Sequence, residues 1–277
     1  MIGYRVGRVL TNVLIYLVFA VALVAVAYPV VWMISSSLRP TAEIFSDPLG
    51  LPTAPSLDNY ARALITGNFA LNLFNSAVVT IPAVSLIVLF SATAGYAFAR
   101  LRFRGNRVLF YLLLIGVMVP PQAILITVFQ VVLRLGLINN FVGLILVYLS
   151  WAPVAIFILT TFFRGIPREI LEAAEIDGAG IWRTFWLVAL PLARPALATV
   201  AIFYFVWIWN DFIYPLILLQ DPSLSTIPLG LQQFQGRYRV DWGTQTAALT
   251  MALAVPLVIY MFFQDKFVRG LTAGAIK

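Results

Sequence analysis

The fold is decided by apolar stretches such as LFNSAVVTIPAVSLIVLFSATAGYAF, residues 73–98, which carries no charged side chain. A helix needs about 20 apolar residues to cross the hydrocarbon core of a bilayer. Further stretches of that length, with few or no charges, lie at 12–34, 108–130, 141–163, 196–219 and 244–264. The sequence therefore predicts an all-α, polytopic membrane protein with six transmembrane helices.

The composition agrees with this interpretation. The chain has 277 residues, of which 62% are hydrophobic and 10% charged, and its mean hydropathy is +0.96. An ordinary soluble domain carries about 25% charged residues. The first apolar stretch follows Arg5 and Arg8, but it is too long for a signal peptide and no small-residue cleavage site follows it, so we expect it to be retained as a span.

The basic residues predict the orientation, because Lys and Arg are retained on the cytoplasmic side of a membrane protein. An N-in, C-in topology leaves 13 of the 18 basic residues inside. The five outside are Arg39, Arg62, Arg134, Arg237 and Arg239. The net charge of +7 then follows from this bias and from attraction to anionic membrane lipid, so no nucleic-acid partner is expected.

Missing residue types restrict the chemistry. The chain has no Cys and no His, which excludes thiol nucleophiles, disulfides and His-based metal sites. Its two lysines, Lys266 and Lys277, do not follow a glycine, so the chain has no phosphate-binding P-loop. We therefore expect no catalytic residues, no metal site and no directly bound cofactor. Energy for transport would come from an ion gradient or from a separate subunit.

Coupling to an ion gradient usually requires ionisable groups at membrane depth. Asp211 is the one acidic residue inside a predicted span, and by position it lies towards the outer end of the fifth. The chain shows no internal repeat and no matching pair of broken helices, which are the usual signs of a secondary transporter. An ion-gradient-coupled secondary transporter is thus the alternative function.

Acidic residues are concentrated in PREILEAAEIDGAG, residues 167–180, inside the predicted cytoplasmic loop 164–195. Pro167 suits the first turn of a helix, and Gly178 is typical of a helix end. The sequence therefore predicts a short helix from Pro167 to Asp177. The acidic residues are Glu169, Glu172, Glu175 and Asp177.

The two faces of this helix differ. At about 100° per residue, Ile170, Ala173, Ala174 and Asp177 share one face, whereas Glu172 and Glu175 point elsewhere. The small side chains of that face would let another protein approach closely. The alternative is a helix lying along the membrane surface, but such helices are usually basic, so the acidic charge favours a protein partner.

The stretch EAAEIDGAGIWRTFWLVALPLARP, residues 172–195, resembles the EAA loop of ABC importer permeases. Glu172 to Ala174, Gly178 and the pair Leu190 and Pro191 match the pattern of that loop. IDGA at 176–179 is similar to the carbohydrate-uptake branch, which includes the maltose importer. WNDFIYPLIL at 209–218 and TIPLGLQQFQG at 226–236 also resemble the smaller permease of that branch.

The resemblance implies one permease domain over residues 1–277 with the type I ABC importer fold, multi-pass in the inner (cytoplasmic) membrane. The implied partners are a second, larger permease, two ATPase subunits that carry ATP and Mg, and a periplasmic or extracellular lipoprotein that binds the solute. The chain itself is then not an enzyme. Coupling to the ATPase is implied for Glu169, Ile170, Glu172, Ala173, Ala174, Asp177 and Gly178.

The resemblance further implies a sugar or oligosaccharide substrate. Trp209, Asn210 and Asp211 are candidates for the substrate pathway, because aromatic rings stack on sugars and polar side chains bind hydroxyl groups. The alternative is that the aromatic residues around them pack between helices or form an interfacial belt.

The segments 36–72 and 220–243 would face the solute-binding protein, with Arg39, Arg62, Arg237 and Arg239 as contacts or as solvated charges. The tail, residues 270–277, would reach the ATPase or form a frayed terminus.

Overall fold

The computed structural model describes residues 2–234 and 241–273, and these residues contain helices and loops but no strand. The predicted all-α class is confirmed. The α-helices are α1 Ile2–Ser37, α2 Thr41–Ser46, α3 Asp58–Ile65, α4 Phe69–Arg100, α5 Asn106–Val117, α6 Leu125–Arg134, α7 Phe141–Leu149, α8 Ala152–Gly165, α9 Arg168–Ile176, α10 Ile181–Thr184, α11 Leu190–Leu192, α12 Arg194–Trp209, α13 Ile213–Leu218, α14 Ile227–Gln233 and α15 Trp242–Ala273. Short 3-10 helices occupy Pro121–Ile124 and Pro222–Leu224, and a π-helix occupies Phe185–Ala189.

Helices long and apolar enough to cross a membrane match the predicted spans except the fifth. Its prediction was 196–219, whereas the helix pair covers 181–209 and overlaps the predicted cytoplasmic loop 164–195. Three are continuous: Thr11–Ser37, Phe69–Arg100 and Trp242–Phe262. Three more are bent pairs, α5 with the segment through α6, α7 with α8, and Ile181–Leu192 with α12, which bring the count to six if each pair is one span.

Prolines account for the bends. The α5–α6 pair turns by 87° where Pro120 and Pro121 follow each other, and neither proline can donate a helical hydrogen bond. The α7–α8 pair turns by 43° just before Pro153, and the third pair by 74° just before Pro195. An apolar segment long enough to cross the membrane is therefore not always one continuous helix.

The fifth predicted stretch, 196–219, is interrupted. Helix α12 ends at Trp209 and α13 begins at Ile213, and residues 210–212 between them belong to no helix. Pro215 lies four residues after Asp211, where its ring would clash with the Asp211 carbonyl of a continuous helix. A break inside an apolar stretch is tolerated where protein covers it or where it lines a cavity.

The chain divides into two compact units by internal contacts, residues 1–70 with 231–253, and residues 71–230 with 254–277. In the first unit, the loop between α1 and α3 is built around Arg39, which is 1% exposed. Asn59 donates hydrogen bonds to the carbonyls of Ser37 and Arg39, each at 2.8 Å. Gly243, at the start of α15, allows the Arg39 carbonyl to approach, because a Cβ there would lie 2.7 Å from that oxygen.

The prediction that Arg39 contacts an external protein is therefore wrong, because its side chain is enclosed by its own loop. Arg62 is exposed and donates to Asn59 Oδ1. Arg237, Arg239 and residues 274–277 of the tail lie outside the described residues.

The core of the second unit is formed by α4, α7, α8 and α12 with the π-helix, and includes Ile87, Tyr148, Leu159, Phe163 and Val200. Helices α4 and α8 approach closely at Gly95, where a Cβ would lie 3.1 Å from both Leu159 Cβ and the Thr160 nitrogen. This packing supports the end of α8, from which the acidic cytoplasmic segment begins.

Candidate functional site

The acidic segment forms α9, within one residue of the predicted bounds. Pro167 precedes the helix with φ −54° and ψ 138°, and Asp177 follows it with φ −75° and ψ 9°. Glu169 lies in the first turn, where a carboxylate interacts favourably with the helix dipole. The chain therefore presents a distinct short helix between α8 and α10.

The entry to α9 is held by Arg100, at the end of α4. Its guanidinium donates to the Phe163 carbonyl at 2.6 Å and also to the Ile166 carbonyl. The Tyr96 ring lies 5.6 Å from that of Phe163 and 5.1 Å from that of Phe185 in the π-helix. Three elements thus fix the position from which α9 starts.

Leu171 anchors α9 to this layer. It is 7% exposed and belongs to the same hydrophobic core as Tyr96, Phe163 and Phe185, and α9 contacts the π-helix and α10. A buried leucine contributes about 1.5–3 kcal/mol. Because α9 is anchored in this way, we expect it to move together with the helices beneath it.

The remaining surface of α9 is open. Ile170, Ala173 and Asp177 are exposed as the predicted face requires, whereas Ala174 is half-buried. Ile176 is 86% exposed, and at about 100° per residue it lies on the side opposite Leu171. The exposed face therefore combines two isoleucines with small and acidic residues.

The acidic side chains of α9 have no internal partners. Glu169, Glu172, Glu175 and Asp177 are all exposed, and none of them forms an ion pair with a side chain that the structure describes. Four carboxylates and two isoleucines exposed around one short helix are suited to contact a partner with apolar and basic groups.

Gly178 ends α9 in a left-handed conformation, with φ +77°. The Ala179 N–H donates to the Ala174 carbonyl at 2.9 Å, and the Gly178 N–H donates to the Glu175 carbonyl at 3.0 Å. This pair of bonds is the Schellman motif, which favours glycine at the left-handed position. No atom of the described chain lies within 4 Å of a Cβ built there, so the space around it is free for a partner.

The candidate substrate residues do not share one surface. Trp209 is 5% exposed and stacks on Phe205 at 5.2 Å, in an apolar groove lined by α4, α12 and α15. Asn210 and Asp211 instead line a second groove of about 720 Å³. Trp207, which is exposed, lines that second groove with them.

Asp211 organises the break between α12 and α13. Its Oδ2 accepts from the Tyr148 hydroxyl at 2.8 Å, and its Oδ1 accepts from the Ile213 N–H at 3.2 Å. The Asn210 side chain donates to the Val206 carbonyl at 2.7 Å. These contacts give Asp211 a structural role whether or not it also meets a substrate.

Comparison with known proteins identifies the family. Residues 88–273 match the model of the binding-protein-dependent transport system inner membrane component. The chain belongs to this family. It is the membrane permease component of such a system, and the resemblance to carbohydrate-uptake ABC importer permeases is confirmed.

Individual relatives agree over nearly the whole chain. The diacetylchitobiose uptake system permease protein NgcG of Streptomyces coelicolor is 36% identical over 257 residues, covering 92% of this chain and 85% of the relative. The trehalose transport system permease protein SugB of Mycobacterium tuberculosis is 36% identical over 253 residues, 90% of this chain and 92% of the relative.

A solved structure shares the fold. The crystal structure of a bacterial ABC transporter involved in the import of the acidic polysaccharide alginate contains a chain that matches with a TM-score of 0.83 and 25% identity, covering 95% of this permease and 98% of that chain. The predicted ABC importer permease fold is confirmed.

Sequence reasoning missed Leu171 and Ile176 in α9. Both are apolar and five residues apart, and they could not be separated into an anchor and an exposed residue without knowing what α9 packs against. The alternation of apolar and acidic residues was visible, but the direction of its buried side was not.

Proposed function

We propose that this permease works in an ATP-driven importer of a sugar or oligosaccharide, and that α9 is the helix through which it is coupled to an ATPase subunit. The observation that carries the proposal is an exposed acidic helix with no internal ion pair, fastened to the core by Leu171. The proposed contact residues are Glu169, Ile170, Glu172, Ala173, Ala174, Asp177 and Gly178, to which we add Ile176.

The energy source follows from the same proposal. This chain has no Gly-Lys pair from which a phosphate-binding P-loop could be built. ATP with Mg therefore binds to partner subunits, two ATPases in this proposal. A second, larger permease completes the pathway, and a periplasmic or extracellular lipoprotein delivers the solute. The complex lies in the cytoplasmic membrane. Closure of the ATPase pair displaces α9 together with the elements around Phe163 and Phe185. These elements then switch between two states and couple the ATP sites of the partners to the solute pathway.

A carbohydrate substrate is supported by the relatives, whose names refer to diacetylchitobiose and trehalose uptake. Within this chain, Asn210 and Asp211 line an open groove next to Trp207. A polar side chain beside an aromatic ring is suited to a sugar. Trp209 contributes through the neighbouring groove.

The coupling proposal is tested with Glu172→Lys, Gly178→Ala and Gly178→Leu. Charge reversal at an interface costs several kcal/mol when like charges meet, so we expect Glu172→Lys to lose ATPase subunits on co-purification. At Gly178 a side chain strains the left-handed backbone by about 1–2 kcal/mol, and Leu additionally occupies the space reserved for the partner. The measurements are ATPase co-purification in detergent and solute-stimulated ATP hydrolysis in liposomes.

Matched controls separate docking from folding. Gly136 also has a left-handed backbone, φ +68°, and free space around its Cβ, but it follows α6 on the outer side, so Gly136→Leu imposes the same strain far from the ATPase. Asp58→Lys reverses an exposed acidic residue on the outer side. Normal ATPase retention in the Glu172 and Gly178 variants would refute the proposal. Loss of ATPase in the Gly136 variant as well would show that the Gly178 variants lose ATPase through misfolding and not through a damaged docking surface.

A further inference from the structure

Arginines crowd the short loop between α4 and α5. Residues 101–105 read LRFRG, and Arg107 follows in the first turn of α5. The side chains of Arg102, Arg104 and Arg107 are exposed. Within the described residues no carboxylate forms an ion pair with them. The loop therefore presents three cationic groups without internal neutralisation.

A fourth arginine contacts the buried side of α5. Arg164, near the end of α8, places its guanidinium carbon 5.1 Å from the centre of the Phe110 ring. Phe110 is 7% exposed, and α5 contacts α8. Arg164 is therefore not one of the proposed lipid contacts.

The loop has a defined shape. The Asn106 side chain donates to the Leu101 carbonyl at 3.0 Å, and the Phe103 ring lies 6.0 Å from that of Phe98. A groove of about 480 Å³ is lined by Leu101, Arg102, Phe103, Arg104 and Asn106. Arg102 and Arg104 thus line a concave surface that is held by hydrogen bonding and ring packing, and Arg107 follows it in the first turn of α5.

Helix α5, which begins directly after this loop, carries an exposed apolar face. Val108, Tyr111, Leu112 and Ile115 are exposed and lie at helical spacing along one side. This helix is part of the third span, so its exposed apolar face lies against acyl chains or another apolar surface. A cationic loop at the start of such a helix has the two parts that a phospholipid requires.

We propose that this surface binds an anionic phospholipid of the cytoplasmic leaflet. Arg102, Arg104 and Arg107 contact the phosphate, since guanidinium groups pair with phosphate oxygens in a bidentate manner. The acyl chains lie along Val108, Leu112 and Ile115. An acidic protein surface would use the arginines but would leave the adjoining apolar face without a role. The proposal does not depend on the proposed function.

The test uses the purified full chain in detergent micelles that contain equal amounts of phosphatidylcholine and phosphatidylglycerol. Native mass spectrometry measures which lipid the chain retains. We expect the unmodified chain to retain phosphatidylglycerol preferentially. Replacement of Arg102, Arg104 and Arg107 by Gln should lower that preference about tenfold, given the attraction of each basic group to anionic lipid. Replacement by Lys keeps the charges but loses bidentate pairing, so it should retain part of the preference, which would show that the loop still folds.

A charge-matched control replaces the exposed residues Arg168, Arg183 and Arg194 by Gln, which removes three charges of the predicted cytoplasmic loop that do not line the groove. This control should keep the preference for phosphatidylglycerol. Equal loss in both Gln variants would mean general electrostatic attraction without a site, and retained preference in the loop variant would also overturn the proposal. Displacement of the lipid by excess inorganic phosphate would show that the acyl chains contribute nothing, which contradicts the docking surface.

Discussion

At the scale of single residues, Arg39 shows how one buried charge organises a loop. Its guanidinium donates to the carbonyls of Gly50 at 2.9 Å, Glu43 at 3.0 Å and Asp47 at 2.7 Å. Its Nε lies 3.3 Å from Glu43 Oε1. A buried charge is tolerated when it is paired and hydrogen-bonded. Arg39 therefore joins the segments on both sides of α2.

Replacement of Arg39 by Ala should destabilise this loop strongly. The change leaves the carbonyls of Gly50, Glu43 and Asp47 without their donor and removes the ion-pair partner of Glu43, and a buried acceptor that loses its donor is costly. Thermal unfolding in detergent measures the effect as a lower Tm. Arg134→Ala, which removes an exposed arginine, is the control, and a similar Tm for the two variants would contradict the structural role.

Carboxylates of the same unit should make its stability depend on pH. The Thr53 backbone N–H is the main cause that lowers the pKa of Glu43. For Asp241, burial raises the pKa, but hydrogen bonds from Thr244 and Thr41 outweigh it and the net pKa is lowered. A carboxylate whose pKa is lower in the folded state stabilises that state at pH values above its pKa in the unfolded chain, which is about 3.9 for Asp. This stabilisation is lost as the pH falls through the pKa of the folded state.

We therefore expect the Tm to fall on acidification from about pH 6 towards pH 3, below the reference pKa of Asp and Glu. Asp241→Asn does not titrate, so its Tm should start lower and depend less on pH. Differential scanning measurements on both proteins in the same detergent test this expectation. Parallel pH profiles would show that Asp241 contributes no such linkage.

At the scale of elements, the break between α12 and α13 depends on a contact from another helix. Tyr148 in α7 donates to Asp211, while the Tyr214 hydroxyl donates to the Pro121 carbonyl at 3.3 Å. Tyr204 in α12 donates to the Trp151 carbonyl at 2.6 Å, where α7 and α8 are interrupted. Three interrupted spans are thus joined by tyrosine hydroxyls.

Tyr148→Phe should weaken this junction. The change keeps the ring but removes a donor from a carboxylate, and a hydrogen bond to a charged group contributes about 1.5–3 kcal/mol. The expected result is a lower Tm in detergent. Tyr111→Phe, at an exposed tyrosine of α5, removes a hydroxyl without such a contact. Equal Tm values for the two variants would show that the hydrogen bond from Tyr148 to Asp211 does not stabilise the fold.

Helix α9 shows where sequence reasoning succeeded and where it stopped. Its bounds were predictable, because Pro167 and Gly178 act locally through backbone geometry. The exposed positions of Ile170 and Ala173 were predicted as well. The anchor Leu171 was not, since its burial depends on Phe163 and Phe185, which are supplied by other elements.

At the scale of the whole molecule, the basic residues predict an N-in, C-in orientation, with Asp177 on the cytoplasmic side and Asp58 on the outer side. The native chain has no cysteine, so single cysteines report the sidedness without background. Asp58→Cys should react with a membrane-impermeant maleimide in intact cells. Asp177→Cys should react only after permeabilisation, and its labelling in intact cells would contradict the orientation.

The sequence by itself determined the membrane class, the six apolar stretches, and the existence and bounds of α9, and it predicts the orientation. These properties depend on quantities that are local in the chain. Apolar length sets whether a segment can enter a bilayer, basic residues set its direction, and proline and glycine set where a helix begins and ends.

The tertiary structure alone decided which side of each helix is buried. It enclosed Arg39 in its own loop, turned Trp209 away from Asn210 and Asp211, and placed Leu171 under α9. In an apolar helix nearly every face is hydrophobic, so hydrophobic periodicity does not distinguish a core-facing side from a lipid-facing one. The distinction is made by the neighbours against which each helix packs, and those neighbours are distant in sequence.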